Sequence, residues 1–246
     1  MVTIQCGDRI FENIQAIIFD KDGTLAHSEH FLRNLALRRS RLIDAQIPGV
    51  GEPLLMAFGV ESDRINPAGL TAVGTRRENE VAAAAYITET GRDWIESLQI
   101  ASSAFAEADR YLPNKAQQTP LFAGMTEVLR SLFQAGVLLG ILSSDTTENV
   151  MDFAKTYDID AYFQLQIGVV GGLSKPDPRL FYQACEALGT IPAQTLTIGD
   201  SAADFEMGRN AGAAGCVGVK WGWTQPPRLE KADLAIAKFD EIRAIR

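Results

Sequence analysis

Short apolar runs alternate with amphipathic segments along most of the chain. The runs lie at residues 15–19, 137–142, 162–167, 195–198, 215–219 and 234–237, and each has the length of a buried strand. Short strands separated by helical patterns are typical of a parallel sheet with crossover helices. The pattern therefore predicts an α/β fold.

Helix ends can be read at three places. Asp145, followed by Glu148 three residues later, resembles a capping box that opens a helix. Asp177 stands before Pro178, which suits the first turn of a helix. Gly212 is a plausible helix stop.

One stretch interrupts the alternation. Between about residues 30 and 118 the apolar residues follow helical spacing, with predicted helices at 33–43 and 78–98. This indicates an all-helical insertion after the first core strand. Residues 3–11 are predicted as a short extra strand or hairpin, and no function is assigned to them.

Composition indicates an ordinary soluble protein. The chain has 246 residues, of which 46% are apolar and 22% charged. Its apolar runs are too short to span a bilayer, and no signal peptide is evident at its start. The three cysteines, Cys6, Cys185 and Cys216, are far apart, which favours reduced thiols in a cytoplasmic protein.

The net charge indicates which classes of partner are disfavoured. The formal charge is −8, which argues against binding to nucleic acid or to an anionic membrane. An anionic substrate would have to be attracted by a local positive site. The expected partner is a small molecule, and the choice between monomer and homodimer stays open.

Two carboxylates follow the first apolar run. Asp20 and Asp22 stand directly after residues 16–19, and Gly23 and Thr24 come next. Buried like charges are costly unless a cation or hydrogen bonds compensate them. A nucleophilic carboxylate, a second acid and a divalent cation would suit phosphoryl chemistry. A simple hairpin turn at Asp22 is the alternative.

Three further strand ends carry polar residues. Ser143 and Ser144 follow an apolar run before a helix start, where backbone N–H groups suit a phosphate oxygen. Lys175 precedes a proline, and its charge suits a phosphoryl group. Asp200 and Asp204 follow the run at 195–198, and carboxylates are ligands that Mg²⁺ prefers. For each of these residues, the alternative interpretation is a helix cap or a solvated surface charge.

Together, and in this order, these residues resemble the four motifs of the haloacid dehalogenase-like superfamily. The resemblance covers residues 14–219 and implies a doubly wound, Rossmann-like parallel sheet with an inserted helical cap. It implies that Asp20 is the nucleophile, that Asp22 is the general acid and base, and that Asp204 is a metal ligand or a support for one. The Asp20 and Asp200 carboxylates and the Asp22 backbone carbonyl would bind Mg²⁺. The implied phosphate-binding residues are Ser143, Ser144, Lys175, Gly23 and Thr24.

The insertion resembles the small cap of the phosphoglycolate phosphatase and β-phosphoglucomutase branch. We expect a catalytic core at residues 1–29 and 117–246, and a cap at residues 30–116 that selects the leaving group. Arg76 and Arg77, near the centre of the cap, are candidates for binding an anionic substrate, although a solvated role for both is the alternative.

The expected function is that of a cytoplasmic, Mg²⁺-dependent phosphatase for a small phosphorylated metabolite, with phosphoglycolate as the leading substrate. Within the same chemistry, the alternatives are a sugar-phosphate phosphatase and a mutase that returns the phosphoryl group to a sugar. Outside it, the alternatives are a response-regulator-like signalling domain and a non-catalytic protein with the same fold.

Overall fold

The computed structural model describes residues 1–169 and 172–245. The strands are β1 (Val2–Cys6), β2 (Arg9–Ile14), β3 (Ala16–Phe19), β4 (Val60–Glu61), β5 (Arg64–Ile65), β6 (Leu138–Leu142), β7 (Leu165–Ile167), β8 (Thr195–Gly199), β9 (Gly215–Val219), β10 (Leu234–Ile236) and β11 (Ile242–Ile245). The α-helices are α1 (Glu29–Asp44), α2 (Gly51–Phe58), α3 (Leu70–Val73), α4 (Arg76–Glu89), α5 (Trp94–Tyr111), α6 (Lys115–Gln118), α7 (Met125–Gln134), α8 (Thr147–Thr156), α9 (Pro178–Leu188) and α10 (Ala202–Ala211).

A six-stranded sheet forms the core, in the order β10-β9-β8-β3-β6-β7. All of its pairings are parallel. Every residue of β3 is buried, as expected for a strand covered on both faces. The predicted α/β fold with a doubly wound sheet is confirmed.

Alternate residues of β3 pack on opposite faces of this sheet. Ile17 and Phe19 join an apolar cluster that contains Leu129 of α7 and Phe153 of α8. Ile18 joins a second cluster, to which α9 and α10 contribute Leu180, Phe181, Ala184, Cys185, Leu188, Met207 and Ala211. Helices therefore cover both faces of the sheet at β3.

The strand predictions need two corrections. The predicted strand at 162–167 is shorter, because a 3₁₀ helix (Asp160–Tyr162) occupies its start and only β7 is extended. At the amino end, β1 and β2 form the hairpin that was one of two predicted possibilities, and β11 adds a third antiparallel strand. This small sheet packs on the core through Ile4, Cys6, Phe11 and Ile14.

The insertion forms a helical cap with an apolar cluster of its own. Buried residues of α1, α2, α4 and α5 build this cluster, including Ile43, Leu54, Phe58, Ile87 and Phe105. The cap also contains an unpredicted ribbon, in which β4 pairs with β5. The proposed boundaries at 30 and 116 stay a prediction.

The single helix predicted at 78–98 is wrong. It is divided into α4 and α5 at Gly91, whose φ of +95° favours glycine. Asp93 then begins α5, since its side chain accepts a hydrogen bond from the Glu96 backbone N–H. The apolar residues on either side of the break do not form one buried stripe, because Val81, Trp94 and Ile95 are exposed.

Two of the three predicted helix ends are observed. Asp177 is the N-cap of α9 with Pro178 in the first turn, and Gly212 ends α10 with a φ of +79°. The first helix end is one residue later than predicted. Thr146, not Asp145, is the N-cap of α8 and accepts from the Asn149 backbone N–H. Asp145 is thereby free for other contacts.

In the described residues, no helix is both long and apolar enough to cross a membrane. The three cysteines are free and buried.

Candidate active site

The carboxyl ends of three adjacent strands place the predicted residues at one edge of the sheet. Asp20 follows β3, Ser143 follows β6 and Asp200 follows β8. The Asp20 backbone N–H donates to the Ile198 carbonyl at 2.8 Å, which holds the first loop against β8. Residues at this edge of an open parallel sheet share one crevice.

Lys175 bridges two of the predicted acids. Its Nζ lies 2.6 Å from Asp20 Oδ1 and 2.6 Å from Asp204 Oδ1. The lysine side chain is only 4% exposed. Although burial lowers the pKa of Lys175, the two carboxylates outweigh this effect and raise it. The ammonium group therefore stays charged beside Asp20.

Asp20 retains one carboxylate oxygen without a hydrogen-bond partner among the described residues, because the only contact of this group goes through Oδ1. Burial raises the pKa of Asp20 to about 6, with Lys175 opposing the change and Asp204 adding to it. Oδ2 is thus available for another atom.

Asp200 is held by two donors from different loops. Thr24 Oγ1 donates to Oδ1 at 3.0 Å, and Trp223 Nε1 donates to Oδ2 at 2.6 Å. Burial, together with the charges of Asp20 and Asp204, raises the pKa of Asp200 well above its usual range. Gly23 makes this packing possible, since a Cβ at its φ of +84° would lie 2.6 Å from Trp223 Nε1.

These acids fit a hard divalent cation. Asp20, Asp200 and Asp204 each offer a carboxylate oxygen, and these oxygens lie within 4.8 Å of one another. Mutual repulsion of buried carboxylates is relieved by a cation, and oxygen ligands suit Mg²⁺. Asp204 differs from the others because Oδ1 contacts Lys175 and Oδ2 accepts from the Ser201 hydroxyl at 2.6 Å. Its geometry suits support of Lys175 better than direct ligation.

Asp22 belongs to a second buried charge cluster. Its Oδ2 lies 2.7 Å from Lys21 Nζ and 3.1 Å from Lys115 Nζ. The same two ammonium groups contact Asp145 Oδ2 at 3.2 and 2.6 Å, and the Ser28 hydroxyl donates to Asp22 Oδ1. Burial would raise the pKa of Asp22, but Lys115 and Lys21 outweigh it and lower the value.

The predicted phosphate-binding residues have diverse contacts. The Ser143 hydroxyl accepts from the Asp145 backbone N–H at 3.2 Å. The Ser144 hydroxyl donates to the Val73 carbonyl of the cap at 3.2 Å. The Gly23 N–H donates to Ala26, and the Thr24 hydroxyl to Asp200. Their phosphate role stays a prediction, and Lys175 is the charged member that lies beside Asp20.

A cavity of about 410 Å³ lies between the cap and this edge of the sheet. Asp22, Lys115, Ser144, Asp145, Thr146 and Asn149 line it on the core side, and α1, α4 and α5 line it on the cap side. Its wall combines apolar, neutral polar and charged side chains. This is the arrangement of a ligand pocket.

The two predicted cap arginines differ. Arg76 lines the cavity and pairs with Glu80 at 2.9 Å and with Asp109. Arg77 is 65% exposed and contacts Glu80 at 3.7 Å. Arg77 is not among the residues that line the cavity.

Sequence reasoning missed Lys21, Lys115, Asp145, Trp223 and Arg39 as members of the site or its cavity. A signal existed for Arg39, which interrupts the apolar stripe of α1 at helical spacing from Leu35 and Ile43. Lys21 stands between the two acids of the first motif. Lys115 and Trp223 carry no local signal, because only the packing of distant loops brings them here.

Comparisons with known proteins show the family of this chain. The family model for haloacid dehalogenase-like hydrolases matches residues 14–212. The N-acetylmuramic acid 6-phosphate phosphatase of Pseudomonas putida is 27% identical over 94% of this chain and 96% of its own length. The phosphoglycolate phosphatase of Escherichia coli is 30% identical over 87% of this chain and 84% of its own length.

A solved structure supports the fold. A predicted phosphoglycolate phosphatase from Haemophilus somnus superposes with a TM-score of 0.66 at 22% identity, over 92% of this chain and 95% of that one. The two similar curated proteins named above are phosphoric monoester hydrolases by name. Fold, motif order and family model agree, and the chain belongs to the haloacid dehalogenase-like hydrolases.

Proposed function

We propose that this enzyme hydrolyses the phosphate monoester of a small metabolite in a Mg²⁺-dependent reaction that passes through an aspartyl-phosphate on Asp20. The observation that carries the proposal is the environment of Asp20. One of its oxygens pairs with buried Lys175 at 2.6 Å, while the other has no partner in the described part of the chain. A fixed carboxylate with one unpartnered oxygen beside a cation suits attack on phosphorus.

In the first step, Asp20 Oδ2 forms a bond to phosphorus as the ester P–O bond breaks. The leaving oxygen takes a proton from Asp22. Lys175 neutralises charge on the phosphoryl oxygens, and Asp204 keeps the lysine in place through its 2.6 Å contact. Hydrolysis of phosphate esters needs a barrier reduction of about 20 kcal/mol or more, most of which positioning and charge stabilisation can supply.

In the second step, water attacks the phosphorus atom of the aspartyl-phosphate. Asp22 accepts a proton from this water, the bond to Asp20 breaks and inorganic phosphate leaves. The lysine contacts that lower the pKa of Asp22 favour its ionised form, which is the form a general base requires. The proton that Asp22 accepts from this water is the one that it donates to the leaving oxygen of the next ester.

The Asp20 and Asp200 carboxylates and the Asp22 backbone carbonyl are the residues proposed to hold Mg²⁺. When bound, the ion supplies positive charge for the transferring phosphoryl group. Thr24 and Trp223 orient Asp200 through hydrogen bonds. Ser143, Ser144 and the loop at Gly23 remain candidates for the phosphoryl oxygens.

Phosphoglycolate is the first substrate to test, because several similar proteins carry the name phosphoglycolate phosphatase. A sugar phosphate is the second candidate, and the cavity favours it. The cavity volume of about 410 Å³ is within the range of pockets that bind small-molecule ligands of several rings or sugar size. Asn114 and Thr146 in its wall suit hydroxyl groups, whereas the Asn79 amide already donates to two backbone carbonyls.

A panel of phosphorylated metabolites, assayed for phosphate release with Mg²⁺ and after exhaustive chelation, tests the proposal. Asp20→Asn should abolish release while the circular dichroism spectrum is retained, because the amide is a poor nucleophile. Turnover of any ester by the wild type, lost in this variant, supports the proposal. Undiminished activity of Asp20→Asn, with contamination excluded, would rule out Asp20 as the nucleophile.

A further inference from the structure

Arg39 is a buried arginine whose donors the protein leaves mostly unused. It lies on α1, is 7% exposed and lines the cavity. Among the residues that the structure describes, its only acceptor is Asp109 Oδ1, 3.4 Å from Nη2, and Nε has none. A guanidinium has five N–H donors, and buried donors normally have partners. The position therefore lacks acceptors.

The guanidinium is held in place by an aromatic ring. Its central carbon lies 4.1 Å from the centroid of Phe105 on α5, a distance at which cation and ring attract each other. This stacking fixes one face of the planar group. Burial lowers the pKa of Arg39 to about 10, although Asp109 acts against the change, which agrees with a charge that the protein compensates incompletely.

A second guanidinium shares the same acid. Arg76 Nη1 contacts Asp109 Oδ2, while Asp109 Oδ1 faces Arg39. Asp109 is 37% exposed, and all three residues line the cavity. One carboxylate thus lies between two arginines, at the cap side of a cavity whose opposite side carries Asp22 and Lys115. Arg76 has a further partner in Glu80 at 2.9 Å, whereas Arg39 has no second acidic partner within residues 1–169 and 172–245.

The alternative is that these charges only hold α1, α4 and α5 together. Such a role would be best served by short, paired contacts in the helix interface, as in a bidentate arginine–carboxylate pair. In the described part of the chain, Arg39 instead has one hydrogen bond, of 3.4 Å, and it lines a cavity. The geometry suits a site that binds an acceptor group of a ligand better than it suits a completed ion pair.

We propose that Arg39, assisted by Arg76, forms an anion subsite that takes a carboxylate on the leaving group of the substrate. Asp109 is the internal anion that bridges the two guanidinium groups and competes with this carboxylate. The inference rests on the proposed phosphatase function and narrows its substrates to phosphate esters of hydroxy acids or of sugar acids. A guanidinium binds a carboxylate through two parallel hydrogen bonds.

Matched pairs of esters test the subsite. Phosphoglycerate is compared with glycerol phosphate, and phosphogluconate with glucitol phosphate, because within each pair one carboxylate replaces a hydroxymethyl group. Nitrophenyl phosphate, whose leaving group carries no carboxylate, serves as the reference. A charge-assisted hydrogen bond is worth enough to change affinity by about 10- to 100-fold. Arg39→Gln should lower the preference for the acid of each pair by that factor, mainly through KM.

Two variants separate recognition from folding. Asp109→Asn removes the competing anion, so it should raise the preference for the acid, opposite in sign to Arg39→Gln. A merely structural cluster would make both variants lose activity on all substrates alike. Arg39→Lys keeps the charge without the planar fork and should recover part of the preference. Arg41→Gln, at an exposed position on the same helix, is the matched control. It should leave the preference for the acid unchanged in both pairs of esters.

The outcomes can be assigned separately. Equal losses on acid and neutral esters, or a lower acid preference in Asp109→Asn, would overturn the subsite while the phosphatase function stands. Calorimetric binding of phosphogluconate and glucitol phosphate to Asp20→Asn provides a readout without turnover. If the wild type hydrolysed no ester yet this variant bound the acid more tightly in an Arg39-dependent manner, the phosphatase function would fail and the subsite would stand.

Discussion

Trp223 connects Asp200 with the cap. Its indole N–H donates to Asp200 Oδ2 at 2.6 Å, and its ring packs in an apolar cluster with Phe31 and Leu32 of α1. The next residue, Thr224, donates its backbone N–H and its hydroxyl to Glu29 at the start of α1. A carboxylate of the proposed metal site is therefore oriented by a loop that also contacts the cap.

Trp223→Phe should weaken Mg²⁺ binding. The ring volume is largely kept, but the donor to Asp200 is lost, and loss of such outer hydrogen bonds typically costs about 10- to 100-fold in metal affinity. The Mg²⁺ concentration that gives half-maximal activity, together with direct calorimetric titration, measures the change. Trp94→Phe, a partly exposed position in the cap, is the control. Unchanged Mg²⁺ affinity in Trp223→Phe would show that Asp200 needs no such orientation.

Lys175→Met should destabilise the metal-free protein. It leaves Asp20 and Asp204 buried without their shared cation, and removing one partner of a buried ion pair typically costs about 3–5 kcal/mol. Urea unfolding with chelator present measures this free energy. Adding Asp204→Asn should reduce the penalty, so that the double variant loses less than the sum of the single ones. Strict additivity would mean that the two groups do not interact.

Asp22→Asn should lower turnover by about 10²–10⁴-fold, the usual contribution of general acid–base catalysis. Mg²⁺ affinity should change much less, because the contact proposed for Asp22 is its backbone carbonyl. Turnover at saturating Mg²⁺ and the half-saturating Mg²⁺ concentration separate the two effects. A variant with normal turnover but weak metal binding would assign Asp22 to the metal instead.

At acid pH, Asp145→Asn should make the free energy of unfolding depend less steeply on pH. Burial raises the pKa of Asp145, but Lys115 and Lys21 outweigh it, so that the folded-state pKa lies below the unfolded one. The stabilisation is then present above about pH 4, the ordinary aspartate value, and is lost as the pH falls through the folded-state pKa. Urea unfolding between pH 6 and pH 3 should show a slope lower by up to about 1.4 kcal/mol per pH unit in the variant. Parallel curves for both proteins would contradict the ion-pair network.

Ca²⁺ should replace Mg²⁺ poorly. Ca²⁺ prefers more oxygen ligands at longer distances, which would disturb the position of phosphorus relative to Asp20. Phosphate release is measured in metal-free enzyme supplied with either ion. Equal rates with Ca²⁺ would argue that the site does not constrain the ion, and full activity after chelation would argue against a metal altogether.

The sequence alone predicted the core of the site because strand ends of a parallel sheet converge. Asp20, Ser143 and Asp200 each follow an apolar run, so their meeting at one edge required only the α/β pattern. The inserted cap was also predictable, since helical periodicity replaces strand patterns between the first two motifs. Its internal break at Gly91 was not, because apolar residues stand at helical spacing on both sides of it, although Val81, Trp94 and Ile95 are exposed in the structure.

Only the tertiary structure decided the partners of these residues. Lys21 is next to both acids of the first motif in the sequence, yet its ammonium group contacts Asp22 and Asp145. The ion pair with Asp20 is formed by Lys175. Which cation compensates which buried carboxylate depends on distances between loops that are far apart in sequence. Local patterns report which side chains are buried and where the strands end. They carry no information on the packing of one loop against another, and this packing brings Lys115, Trp223 and Arg39 to the site or its cavity.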